Sequence, residues 1–115
     1  MEYSNNKYIV QLLDRLKQIN PEKIILFGSQ AHGNAGNDSD IDIVVVTNDE
    51  FFPQNYRQRA DLTIKVSRII SDIMKEIPVD LIVYSKPMYQ KLLAMESLFS
   101  KELTKNGKIL YEASH

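Results

Sequence analysis

The chain has 115 residues, with 14 basic and 15 acidic side chains and a formal net charge of −1. That size holds one domain, residues 1–115, and the balanced charge leaves no basic stripe for nucleic acid. It has no cysteine, which removes disulfides, thiolate metal sites and cysteine nucleophiles together. The longest apolar run, Ile41 to Val46, is broken by Asp42 and is too short to cross a bilayer. The start, Met1-Glu2-Tyr3-Ser4-Asn5-Asn6, carries no basic stretch and no apolar signal core. A soluble cytoplasmic protein with no membrane partner is expected.

Tyr8, Ile9, Leu12, Leu13, Leu16 and Ile19 recur at helical spacing and predict a first helix from Asn5 to Ile19, ended by Pro21. Ile24-Ile25-Leu26-Phe27 is a continuous apolar run bounded by Gly28, the pattern of a buried strand. Residues 30–38 are rich in Gly and Asn and read as a loop, opening with one helical turn after Ser29. Ile41 to Thr47 is a second, β-branched strand. Leu62, Val66, Ile69, Ile70, Ile73 and Ile77 mark one long helix ending before Pro78, and Val79 to Tyr84 a third strand. Pro87 near its start and Gly107 past its end bracket a last helix, with Met88, Leu92, Leu93, Leu98, Phe99 and Leu103 as its core face. Lys108-Ile109-Leu110-Tyr111-Glu112 then forms a short edge strand.

This order predicts an α/β (α+β) fold, a small mixed sheet of three to four strands flanked by helices. Gly28-Ser29 closes strand one, whereas Asp40 and Asp42 open strand two. The two can share a site only if these strands run antiparallel. The long helix then suits a right-handed crossover to a parallel third strand. All three aspartates, Asp40, Asp42 and Asp80, would gather at one end of the sheet.

Asp40 and Asp42 stand two apart, so their side chains share a face. Two adjacent carboxylates beside an apolar core are costly unless a cation neutralises them. Oxygen-only ligands favour Mg²⁺ or Mn²⁺ over zinc. Taken alone, an Asp-x-Asp is more simply a solvated strand mouth; the glycine-serine turn ten residues earlier is what gives it weight. Asp80 sits inside the apolar run Val79-Asp80-Leu81-Ile82-Val83, where burial demands a partner. It is either a structural ion pair or helix cap, or a third carboxylate on a catalytic metal, helping to deprotonate an acceptor hydroxyl. Gly28 permits close approach of backbone to a phosphate, and the N–H groups near Ser29 can bind anions.

Other candidates have simpler explanations. His32 reads as a solvated loop residue, and Arg57, Arg59, Lys65 and Arg68 as a charged outer helix face. Asp38-Ser39-Asp40-Ile41-Asp42 starts like a calcium loop, but that loop needs glycine where Ile43 stands and glutamate where Asp49 stands.

Gly28-Ser29, ten intervening residues, Asp40-Ile41-Asp42 and the later Asp80 together resemble the minimal nucleotidyltransferases of the DNA polymerase β-like superfamily. The likeness extends over nearly the whole chain, including the closing Gly107-Lys108-Ile109-Leu110-Tyr111-Glu112. The resemblance implies a polymerase β-like core that transfers a nucleoside monophosphate from a nucleoside triphosphate, ATP above all, to a hydroxyl. It implies two Mg²⁺ ions (or Mn²⁺) held by Asp40 and Asp42, with Asp80 completing the catalytic one, and a triphosphate held by Gly28 and Ser29. Members this short are often MntA-type antitoxins, paired with a HEPN-domain toxin; some inactivate the toxin by adding AMP to one of its tyrosines. Gln30 and His32 stand where relatives often carry arginine, which bears on triphosphate affinity and nucleotide choice.

The elements use almost all of the chain, so an acceptor surface must come from a partner. Three readings follow: an AMP-transferring enzyme acting on its partner protein, a binding protein that neutralises its partner by contact alone, and a transferase acting on a small molecule such as an aminoglycoside. The third requires a homo-oligomer to build the acceptor site.

Overall fold

The computed structural model describes residues 7–28 and 40–114. Helix α1 (Lys7–Lys17) buries Ile9, Leu12 and Leu16, a stripe at helical spacing. It stops short of Ile19 because the chain tightens into successive three-residue turns, Gln18 N–H to Arg15 O and Ile19 N–H to Leu16 O, and Asn20 turns left-handed (φ 52°). Asn5, the expected start, lies outside the described residues.

The sheet contains β1 (Lys23–Phe27), β2 (Ile41–Val46), β3 (Val79–Tyr84) and β4 (Lys108–Glu112), in the order β3-β2-β1-β4. β1 runs antiparallel to β2 and to β4, and β2 runs parallel to β3. This is the mixed sheet that the placement of the aspartates required. No helix among the described residues is long and apolar enough to cross a membrane.

Two elements expected as single helices are broken. The β2–β3 crossover consists of α2 (Tyr56–Ser67), a 3₁₀ turn (Arg68–Ile70) and the short α3 (Ser71–Met74). Asn55 caps α2 by accepting from Gln58 N–H at 2.9 Å. At the break Arg15 of α1 donates to the Ile69 carbonyl at 3.1 Å and grips both oxygens of Asp72 at 2.8 and 2.7 Å. The carbonyl given up by the helical ladder is thereby satisfied from outside it. The C-terminal helix is likewise two, α4 (Lys86–Met95) and α5 (Leu98–Asn106). Glu96 turns left-handed (φ 49°, ψ 39°), and Ser97 starts α5 by accepting from Ser100 N–H at 3.1 Å.

Register decides which helices cover which face. Phe27 lies opposite Asp42, Ile25 opposite Val44, and Asp42 opposite Asp80, so these side chains point to one side. On that side Phe27 meets Phe99 of α5 edge-on, with ring centroids 5.6 Å apart, and Tyr84 lies against Tyr89 of α4. Helices α4 and α5 therefore cover the aspartate face. The other face, with Ile24, Leu26, Ile41, Ile43 and Val45 fully or almost fully buried, is left to α1 and α2.

Candidate active site

The sheet brings together residues that are far apart in sequence. Asp42 is the second residue of β2, Asp80 the second residue of β3, and the parallel register sets them side by side. Asp40 immediately precedes β2, two residues from Asp42 and on its face. Gly28 follows Phe27, the residue paired with Asp42, and turns left-handed (φ 71°). A Cβ built on Gly28 would collide with the Asp42 carboxylate. The glycine thus serves two ends: it adopts a backbone shape that a side chain resists, and it leaves the space that the carboxylate occupies. Of the residues expected to hold phosphate, Gly28 is placed; Ser29 lies outside the described residues, as do Gln30 and His32.

Asp42 feels the other two carboxylates. Partial burial, then the charges of Asp80 and Asp40 and a hydrogen bond with Asp80, push the Asp42 carboxyl above its ordinary value. Asp80 is exposed rather than buried. The apolar run around it suggests burial, but at the mouth of a strand its neighbours Val79 and Leu81 point to the opposite face, and Asp80 opens to solvent. Among the described residues no three acidic or histidine side chains are close enough to hold one ion between them. The trio is aligned along one end of the sheet rather than gathered. Its donor set, oxygen only and anionic, is of the kind that Mg²⁺ or Mn²⁺ takes.

The cationic candidates are placed elsewhere. Lys65 reaches Asp49 at 2.7 Å, and Arg59 lies over the Tyr84 ring at 5.8 Å. Burial would raise Asp49, but Lys65 and the Thr47 hydroxyl together hold it below its ordinary value. Both cations tie α2 to the sheet end opposite the aspartates. Of the expected core face of the last helix, Met88 and Leu103 are buried and Phe99 packs on Phe27, but the break at Glu96 leaves Leu98 exposed, and this α4–α5 corner is what sequence reasoning misses. Ser97, a capping residue inside a nominal helix, is the one local signal for that corner.

Comparison with known proteins agrees with the fold. No curated protein matches the chain. A toxin–antitoxin crystal structure with AMP-PNP is 25% identical, with a TM-score of 0.52; the match covers 96% of this chain and 75% of that one. A putative nucleotidyltransferase from Sulfolobus solfataricus shares the fold at 20% identity and a TM-score of 0.50, covering 97% of this chain and 88% of that one. The family model described as polymerase beta, nucleotidyltransferase matches residues 7–115. With glycine turn and aspartates set at one end of a mixed sheet, and the match running from α1 past β4, the chain belongs to the polymerase beta nucleotidyltransferase family.

Proposed function

We propose that this chain is an antitoxin that transfers AMP from ATP to a hydroxyl, a tyrosine of a HEPN-domain toxin, and so silences its partner. The observation that carries the reading is the side-by-side register of Asp42 and Asp80, with Gly28 backed onto Asp42. The toxin–antitoxin structure with AMP-PNP, an ATP analogue, supports both the donor and the class of partner.

In this reading Asp40 and Asp42 would hold two Mg²⁺ ions and Asp80 would complete the catalytic one, which requires the three side chains to turn toward a common point, since they do not converge on one among the described residues. The donor set fits: every ligand atom is a carboxylate oxygen, and the burial and neighbouring carboxylates that raise Asp42 are what a cation would offset. Bound divalent cations supply the positive charge that offsets the triphosphate and eases ionisation of the acceptor hydroxyl. The chain's own residues do the rest. Gly28 and the N–H groups after it orient the triphosphate. The acceptor oxygen bonds to the α-phosphorus as the bond to pyrophosphate breaks. Asp80, open to solvent, takes the hydroxyl proton on its carboxylate, and pyrophosphate carries away the displaced electron pair.

The test is intact-mass analysis of the protein encoded next to this chain after incubation with the chain, ATP and Mg²⁺. Mass gains of whole AMP units with wild type, and none with the double variant Asp40→Asn/Asp42→Asn, are expected. A stable complex with no mass gain would instead mean neutralisation by contact alone.

A further inference from the structure

The aspartate face of the sheet is also the face covered by α4 and α5, and the corner joining these helices is apolar where solvent meets it. Leu98 is 88% exposed, Met95 64% and Leu93 39%. Isolated exposed leucines are ordinary, but neighbours on one corner form a patch. The patch runs into a groove of about 510 Å³ between the two helices, lined by Leu93, Glu96, Ser100, Lys101, Thr104 and Lys105. Lys101 and Lys105 form no ion pair with an acid among the described residues, whereas Lys23, Lys65 and Lys86 all do. The groove therefore joins the apolar corner to an α5 wall that carries two lysines, with the acidic Glu96 at the turn between the helices.

We propose that the α4–α5 groove is the docking site for the acceptor protein, which enters it with an amphipathic helix carrying apolar residues on one stripe and acidic residues on its flank. The exposed Leu93, Met95 and Leu98 are the apolar contacts that a helix's i, i+3, i+4 and i+7 anchors would meet. The two lysines select acidic flanks over basic ones. Position supplies the remainder of the argument. Phe99, the residue after Leu98, packs on Phe27, which lies directly opposite Asp42. A partner seated on this corner is held on the same side of the sheet as the three carboxylates. The opposite apolar patch, with Phe51, Phe52 and Tyr56 exposed, lies beyond the other end of β2 and would hold a partner away from them.

The inference rests on the transfer reading, so the test measures docking and transfer separately. The probe is the protein encoded next to this chain. Its binding to the full chain is followed by calorimetry, and its AMP gain by intact mass. Leu98→Glu and, separately, Lys101→Glu/Lys105→Glu should each raise the dissociation constant about tenfold or more. Phe52→Glu should leave it unchanged, and all variants should bind Mg²⁺-ATP as wild type does. Added salt should weaken the wild-type complex more than the double-lysine variant's. Binding lost with Phe52→Glu but kept with Leu98→Glu would overturn the proposal, as would AMP transfer undiminished by either groove variant. Wild-type binding through the groove with no AMP gain would sink the transfer reading and leave the docking site standing. No binding by wild type would sink both.

Discussion

Strand β2 has two characters within a few residues. From Ile43 to Val46 every side chain is fully buried, sandwiched between β1 and β3 with helices on both faces. At its mouth, Asp40 and Asp42 face Asp80 across the parallel register, and like charges lie together where burial begins. One end contributes stability by excluding water; the other places repelling charges together, which a structural end would avoid. The neighbouring strands share the asymmetry: Val83 is buried and Asp80 exposed on β3, while Ile25 is buried and Gly28 turns left-handed beyond β1. All three adjacent strands change character at the same end, so the sheet is packed at one end and carries its charges and its left-handed glycine at the other.

The comparison breaks most sharply if activity and stability are struck one at a time. If the proposed mechanism holds, Asp42→Asn should lower AMP transfer by at least about two orders of magnitude, since it would remove a direct ligand, which exceeds the usual penalty for disturbing its supporting contacts. Intact-mass kinetics would measure it, and retained transfer would remove Asp42 from the chemistry. Ile43→Ala, one residue further in, should do the converse. It opens a cavity in the fully buried stretch and should cost about 3 kcal/mol of unfolding free energy in urea melts. Nucleotide binding per folded molecule should stay close to wild type. A cost below ~1 kcal/mol would mean that β2 is not the packing centre.

The asymmetry is partly legible in the amino-acid order. The apolar runs mark β1, β2 and β3 nearly to the residue, because a strand covered on both faces needs no polar alternation. The demand that Gly28 and the aspartates meet dictates the strand directions. Periodicity alone joins helices that are broken, since apolar residues recur at the same spacing through the Arg68–Ile70 turn and past Glu96. The first break is held by Arg15, more than fifty positions away in sequence, and no local pattern encodes that contact. The apolar run misleads about Asp80 for a related reason: a strand's composition does not say where its covered part begins. The closeness of Gly28 to Asp42 is a cross-strand fact that only the register supplies.

That closeness gives a variant between the two extremes. Gly28→Ala places a methyl group against the Asp42 carboxylate and forces alanine to a φ of 71°. The backbone term alone costs about 1–2 kcal/mol. The displaced carboxylate should also lower AMP transfer, so this variant alone should hurt both properties. Loss of stability with full activity would separate Gly28 from the site.

Asp42 also offers a gain. Its carboxyl is raised in the folded chain by burial and by Asp80 and Asp40, so the folded state holds this proton more tightly than the unfolded one. The ionised form therefore destabilises, and the penalty appears as pH rises through the raised value. Asp42→Asn should raise Tm at pH 7 in the absence of divalent ions. The gain should vanish below the unfolded value near 3.8, where wild type is protonated too. Mg²⁺ should raise the Tm of wild type and leave that of the variant nearly unchanged. Equal Mg²⁺ stabilisation of both would mean that the ion binds elsewhere.

The smallest effect belongs to the exposed Arg15–Asp72 pair that links α1 to α3. Arg15 holds the Asp72 carboxyl down at about 2. A lowered carboxylate stabilises above its unfolded value, and the contribution is lost as pH falls from about 3.8 towards about 2. Both side chains stand in solvent, where salt screens the attraction. Asp72→Asn should therefore lower Tm slightly at pH 7, less as pH falls towards about 2, and hardly at all in high salt. Arg15→Ala should cost more than Asp72→Asn at every pH, because it also strips the donor from the Ile69 carbonyl at the helix break. If the two variants melt alike, the break between α2 and α3 is held by packing of Ile70 and Ile73 and not by Arg15.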